Sequence, residues 1–158
     1  MFSEILGIPA HPLLIHAAVV FIPLLVIGAI VFAAWPAVRG RIDWAVAALA
    51  VIGPFAALFA VLSGNNLRQR LIGNTTTGLL ADKITKHQAL GHDTLWFTIA
   101  LGVVTLAMVG YAWQVKRAGG GETTLVRVGS VVVTVVLGAF VGYYVFRTGD
   151  AGAHIVYG

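Results

Sequence analysis

Cysteine and charged side chains are what this sequence has least of. It contains no cysteine, which excludes disulfides, thiolate metal sites, iron–sulfur clusters ligated by this chain and thioether-attached haem. Only 10% of its 158 residues are charged, whereas a soluble domain carries about 25%. Ten Lys and Arg with six Asp and Glu are too few to cover a water-soluble globule of this size. The composition therefore argues against a soluble enzyme, a nucleic-acid-binding domain and a disordered tail.

Apolar residues dominate the composition. They make up 59% of the chain, and its mean hydropathy is +0.93. Residues 5–38, 44–67, 94–115 and 128–146 contain no Lys, Arg, Asp or Glu. Each stretch equals or approaches the ~20 apolar residues that cross a bilayer as a helix. The sequence predicts an all-α fold, a single integral membrane four-helix bundle over residues 1–158 in the lipid bilayer, with spans at about 12–35, 44–65, 87–115 and 125–147.

Local signals predict where the helices begin and end. Proline is favoured in a first helical turn, so helix 1 is predicted to start at Pro12. Residues 39–43 are predicted as a turn, and helix 2 is predicted to end at residues 63–66. Helix 3 is predicted to begin at residue 86 or 87, and a threonine at 123 or 124 to cap helix 4. With four spans, both chain ends lie on one side of the membrane.

Basic residues do not decide which side that is. The side with the chain ends has Arg68, Arg70, Lys83, Lys86 and Arg147, and the other side has Arg39, Arg41, Lys116, Arg117 and Arg127. The second set is crowded into two short turns beside the spans, which favours a cytoplasmic location under the positive-inside rule. The side with the chain ends is then predicted to be extracytoplasmic.

Two short patterns recur along the chain. Helix 1 opens with two histidines five residues apart, His11 and His16, and helix 3 opens with His87 and His92 at the same spacing. Helix 2 ends in Ser-Gly-Asn at 63–65, and helix 4 ends in Thr-Gly-Asp at 148–150. These matches indicate two pseudo-repeated helical hairpins, related by an axis along the membrane normal.

All five histidines lie on the side of the chain ends. Ionisable groups inside a span are functional candidates by default. At the helical rise, His16 and His92 lie ~7 Å deeper than His11 and His87, so each is predicted to face the other from a different helix. Two imidazoles that face each other inside a four-helix bundle can bind a haem iron from both sides. The sequence therefore predicts haem b with His16 and His92 as its ligands.

The other charged residues and histidines on that side are predicted to surround the haem. Interfacial cations are predicted to meet the propionates, and the candidates are Arg68, Lys86 and Arg147. The other histidines, His11, His87 and His154, are predicted to lie around the ligands or on the propionate side. The protein would carry electrons to a redox partner, with no substrate chemistry of its own.

Two alternatives remain open. One is a non-haem site for a divalent transition metal, since imidazole with carboxylate suits zinc, iron, manganese or copper(II). Its candidate ligands are His11, His16, His87, His92 and His154, with Asp93 or Asp150. The other is a cofactor-free accessory subunit of a larger membrane complex, in which the histidines only form hydrogen bonds. None of these three hypotheses makes the protein an enzyme, because the sequence contains no nucleophile elbow, Walker loop or zincin motif.

The opening His11-Pro12-Leu-Leu-Ile-His16 resembles the His-Pro-x-x-x-His of a bacterial family of four-helix membrane proteins of unknown function (DUF2231-like). The histidine that heads helix 3 and the closing segment 148–158 are also similar to that family. A departure lies at Ala17-Ala18, where relatives often place an aromatic residue and a proline. Some members are joined to c-type cytochrome or Rieske domains. The resemblance therefore implies electron transfer in the bacterial cytoplasmic (inner) membrane, with the histidines on its extracytoplasmic face.

Overall fold

The computed structural model describes residues 4–5, 8–73 and 77–157, and long helices dominate it. Gly158, the last residue of the closing segment, lies outside this range. Two short strands pair antiparallel, β1 Glu4–Ile5 with β2 Ile8–Pro9. The helices are α1 Ala10–Ala34, α2 Arg39–Ile72, α3 Leu79–Arg117 and α4 Thr124–Val156, with a single 3-10 turn at Pro36–Val38. The predicted all-α four-helix architecture is confirmed.

Each of the four helices is long and apolar enough to cross a membrane. Many large apolar side chains face outward, among them Trp44 at 72% exposure and Phe146 at 72%. A helix that is apolar on all sides belongs in hydrocarbon, where the outward face needs no polar cover. The described part of the chain therefore has four candidate membrane spans.

The helices are longer than the predicted spans. At about 1.5 Å per residue, the 34 residues of α2 extend ~51 Å and the 39 of α3 extend ~58 Å, against ~30 Å of hydrocarbon. The predicted turn at 39–43 is wrong, because it is the start of α2. The predicted end of helix 2 at 63–66 and start of helix 3 at 86–87 are also wrong. Hydropathy marks the edge of the bilayer, whereas Leu, Arg, Gln and Lys continue a helix readily beyond that edge.

Glycine and threonine mark several helix ends. Gly73 follows α2 with φ 54°, and its N–H donates to the Gln69 carbonyl at 3.0 Å. Gly78 precedes α3 with φ 109°, a conformation that L-residues with a side chain rarely adopt. The Thr123 hydroxyl accepts a hydrogen bond from the Val126 N–H at 3.4 Å. The predicted threonine cap of helix 4 is therefore confirmed at Thr123.

The helices form a closed ring in which each packs against its neighbours in sequence and α4 returns to α1. The diagonal pair α1 and α3 touch only sparsely. Small residues allow close approach: a Cβ built on Gly102 of α3 would lie 2.6 Å from the Ala50 carbonyl oxygen of α2. The central core consists of Ile22, Leu25, Ala29, Ala50, Ala57, Leu95, Leu101 and Val141. Helix rotation is thus fixed by shape complementarity along the bundle.

Arg39 fixes the end of the bundle opposite the histidines. Its Nε donates to the Phe32 carbonyl at 2.7 Å and its Nη2 to the Ala33 carbonyl at 3.0 Å. Its Nη1 forms an ion pair with Glu122 of the α3–α4 loop at 2.9 Å. One cation therefore satisfies the carbonyls at the end of α1 and ties them to the loop before α4.

Candidate cofactor site

His11 and His87 meet at the end of the bundle that carries the chain termini. Their ring centroids are 6.3 Å apart and their planes are 81° from parallel. His11 comes from the first turn of α1 and His87 from α3, helices that stand diagonally in the ring. Each hairpin therefore contributes one imidazole to the bundle axis.

Hydrogen bonds assign the tautomer of both rings. The Ser63 hydroxyl donates to the Ala60 carbonyl at 2.9 Å, so it accepts from His11 Nδ1 at 3.0 Å. His87 Nδ1 donates to the Thr148 carbonyl at 3.0 Å, because a carbonyl can only accept. In the neutral form, each ring then carries its free lone pair on Nε2.

A glycine of the neighbouring helix lies against each ring. A Cβ built on Gly64 would be 3.0 Å from His11 Cε1, and one built on Gly152 would be 3.1 Å from His87 Cε1. Both hairpins therefore use the same plan, a histidine from the first helix with a polar partner and a glycine from the second. The two hairpins differ in the atom that accepts the histidine hydrogen bond, which is the side-chain hydroxyl of Ser63 in one and the backbone carbonyl of Thr148 in the other.

A cavity of about 450 Å³ surrounds these rings and is lined by residues from all four helices. Its lining is mostly apolar, and four of its polar side chains form two pairs between helices. Gln88 donates to Asn65 at 2.8 Å between α3 and α2, and the hydroxyls of Thr94 and Thr148 are 2.9 Å apart between α3 and α4. Its volume lies within the range of about 300–1,000 Å³ that is typical of small-molecule and cofactor sites.

Arg68 is the cation in the cavity lining. Its Nε is buried and has no hydrogen-bond partner. Buried polar groups in proteins are nearly always hydrogen-bonded, so a cationic donor left open beside a cavity needs explanation.

Comparison with known protein families matches residues 7–158 to DUF2231, which is described as a predicted membrane protein. The chain belongs to the DUF2231 family. The resemblance carried by His11, Pro12 and His16 is thereby confirmed over almost the whole sequence. No curated protein and no solved structure matches the chain. This DUF2231 protein is a membrane protein, and its family description assigns no cofactor, partner or reaction.

The deeper histidines of this DUF2231 protein do not converge. His16 and His92 are both exposed, and His16 Nδ1 contacts the Pro12 carbonyl of its own helix at 2.6 Å. The structure therefore does not bring these two rings together across the bundle as the sequence predicted. Residues five apart differ by ~140° around a helix, so only one histidine of each helix can point to the bundle axis. Helix packing directs His11 and His87 there. His16 remains at the cavity lining, whereas His92 does not line it.

The other predicted site residues lie outside the cavity. Lys86 is exposed, and the Arg147 guanidinium lies 5.9 Å above the Tyr143 ring. His154 is exposed on the last turns of α4, where its Nδ1 contacts the Asp150 carbonyl at 3.0 Å. Of the cations predicted to meet propionates, Arg68 alone lines the cavity.

A non-haem metal site receives no support from the donor geometry. Across residues 4–5, 8–73 and 77–157, no three side chains of His, Cys, Asp or Glu are grouped so as to hold a metal ion. Three imidazoles line the cavity, and two of them, His11 and His87, form a ring contact. Such a pair suits a cofactor that brings its own equatorial ligands, as a porphyrin does.

Sequence reasoning missed the partners that orient the two inward histidines. The sequence pattern marks Ser63 and Thr148 only as matching ends of the repeat, and it does not distinguish Gly152 from other glycines. The signal was present, because each hydroxyl residue lies near the end of the helix that pairs with a histidine-bearing helix. A hairpin brings those two ends to the same height, so histidine and hydroxyl residue become neighbours.

Proposed function

We propose that this protein binds haem b between His11 and His87 and transfers electrons at one face of the membrane. The observation that carries the proposal is the pair of diagonal imidazoles, 6.3 Å apart at their ring centroids. Two imidazoles on opposite sides of one metal ion, with metal–nitrogen bonds of about 2 Å, have centroids roughly 6 Å apart. The 6.3 Å spacing of the His11 and His87 rings agrees with this value, which supports a shared iron.

The hydrogen bonds of both rings support the same proposal. Metal-binding histidines almost always donate their second ring N–H to a carboxylate, a backbone carbonyl or a water. His87 donates Nδ1–H to the Thr148 carbonyl, and His11 donates to the Ser63 hydroxyl. These bonds hold each ring in one orientation and leave Nε2 as the ligand atom.

The site also suits the rest of a porphyrin. Apolar side chains such as Ile15, Val19 and Ile22 line the cavity, and Arg68 offers a cation to a propionate. A haem held by His11 and His87 would accept and donate one electron and would leave no position open for a substrate. The chain would then be an electron carrier in the bacterial inner membrane, with the histidine side extracytoplasmic and a redox partner on that side.

The test is a visible spectrum with four matched variants. The protein is purified in detergent from cells supplied with haem precursor, and oxidised and reduced spectra are recorded together with iron content. His11→Ala and His87→Ala should each abolish the low-spin bands, whereas His16→Ala and His92→Ala should retain them. The two sets have the same side-chain change at the same end of the bundle.

Two results would contradict the proposal. A colourless wild-type protein without iron would exclude haem binding. Loss of the bands in His16→Ala and His92→Ala, with retention in His11→Ala and His87→Ala, would return the ligands to the deeper pair predicted from the sequence.

A cofactor-free accessory subunit is the second candidate. The observation in its favour is that His11 and His87 already join neighbouring helices by hydrogen bonds to Ser63 and Thr148. In that case the imidazoles act as links between helices, and replacing them lowers thermal stability of a protein that never contains iron. The same purified variants distinguish the two functions.

A further inference from the structure

Arg68 lies at the outer end of the cavity. It is four residues beyond Gly64 on α2, which contacts the His11 ring. Residues four apart share a helix face, so Arg68 lies ~6 Å further towards the chain-end side of the bundle. The cavity therefore has an apolar interior, a pair of imidazoles and a cation at its outer edge.

Nothing in the described cavity lining balances the charge of Arg68. No Asp or Glu among the described residues lines the cavity. Glu122 pairs with Arg39 at the opposite end of the bundle, and Asp43 accepts from Trp113 there. A buried cationic N–H without an acceptor is unfavourable, so Arg68 Nε is available to donate to an acidic group of a molecule that enters the cavity.

We propose that Arg68 anchors an acidic group of the ligand, so that the cavity selects amphipathic molecules with a free carboxylate. The guanidinium matches a carboxylate in geometry and binds it through paired N–H donors. The inference rests on the proposed function for the ligand's identity, since haem b carries its propionates on one edge. That edge would be held by Arg68, and the apolar side chains of the lining would surround the rest of the ring.

The experiment compares hemin with hemin dimethyl ester, in which the propionates are blocked. Both are titrated into the detergent-purified full chain freed of haem, along with iron-free protoporphyrin IX. Iron-free protoporphyrin has the carboxylates and lacks the metal, so its binding reports Arg68 without histidine ligation. Binding of all three is measured by quenching of tryptophan fluorescence, and low-spin bands are recorded for the two hemins.

The wild-type chain should bind hemin about ten- to hundredfold more tightly than its dimethyl ester, the range expected for a charge-assisted hydrogen bond. Arg68→Leu should remove this preference and weaken protoporphyrin binding by a similar factor. The matched control is Arg147→Leu, since Arg147 is a cation at the same end of the bundle that does not line the cavity. Arg147→Leu should keep the preference.

Several results would overturn the inference. They are equal wild-type affinity for acid and ester, a preference that survives Arg68→Leu, and no binding of any probe. Equal affinity would assign the Arg68 acceptor to a lipid headgroup instead. The acid–ester comparison in the wild-type chain needs no variant, so it holds even if Arg68→Leu does not fold. Hemin that binds without low-spin bands but with an Arg68-dependent acid preference would contradict the proposed function and support the inference.

Discussion

His11 and His87 approach to 6.3 Å between ring centroids although α1 and α3, the helices that carry them, stand diagonally and touch only sparsely. The contact is made possible by the surroundings of each ring. Ser63 and Thr148 draw the rings to the neighbouring helices, and Gly64 and Gly152 leave room for them. The two imidazoles therefore meet across the diagonal of the helix ring, at the wall of the cavity.

Substitution of the two glycines should disturb the rings directly. In Gly64→Ala or Gly152→Ala the new methyl would lie about 3 Å from an imidazole carbon, so the ring must move. Overpacking of this kind costs about 1–3 kcal/mol, and we expect roughly tenfold weaker hemin binding in an optical titration. Gly142→Ala on the same helix as Gly152 is the control, because a Cβ at Gly142 meets open space and Gly142 does not line the cavity. Unchanged affinity in the first two variants would show that the rings are not the binding element.

The two histidines should respond differently to loss of a hydroxyl. Ser63→Ala removes the acceptor of His11 Nδ1, whereas Thr148→Val leaves the carbonyl that His87 uses. We expect Ser63→Ala to weaken hemin binding by roughly tenfold, in line with the 10–100-fold effect of outer partners on metal affinity, and to alter the low-spin spectrum. Thr148→Val should do neither. Equal effects of the two substitutions would contradict the tautomers assigned to the rings.

Gly102 should be the least replaceable glycine of α3. A methyl group there would lie 2.6 Å from the Ala50 carbonyl oxygen, which is backbone and cannot rotate away. We expect Gly102→Ala to destabilise the bundle by about 1–3 kcal/mol in thermal unfolding followed by circular dichroism in detergent. Gly110→Ala on the same helix has open space and should be neutral or slightly stabilising. A stabilising effect at Gly102 would place α2 and α3 further apart than described.

Arg39 should dominate the stability of the opposite end. Arg39→Ala removes two bonds to carbonyls of α1 and leaves the half-buried Glu122 without its partner. We expect a loss of roughly 2–3 kcal/mol in the same unfolding measurement, without any change in hemin binding. Arg41→Ala, an exposed cation two residues away, is the control and should change stability little. Equal losses in the two variants would mean that net charge, and not these bonds, is responsible.

Much of the fold could be read from the sequence, while the site could be read only in part. The four spans follow from the absence of charge over long stretches, and the threonine cap of α4 follows from local chemistry. The sequence predicts helix ends near residues 66 and 86, but α2 and α3 continue past them, because polar residues such as Asn66 and Lys86 mark the water interface and not the end of a helix. Arg68 was among the predicted site residues and does line the cavity. Lys86 and Arg147 were equally plausible by sequence and lie outside it.

The sequence by itself determined a membrane protein of four helices with its histidines at one end. That follows from composition, because a chain with 10% charged residues has too few of them to cover the water-exposed surface of a soluble domain, and its long apolar stretches are suited to cross a bilayer. Only the tertiary structure decided that His11 and His87, and not His16 and His92, turn towards each other. Helices that are apolar all round carry no hydrophobic face to set their rotation. Rotation is set instead by close packing, such as Gly102 against Ala50, which exists only once the helices have met.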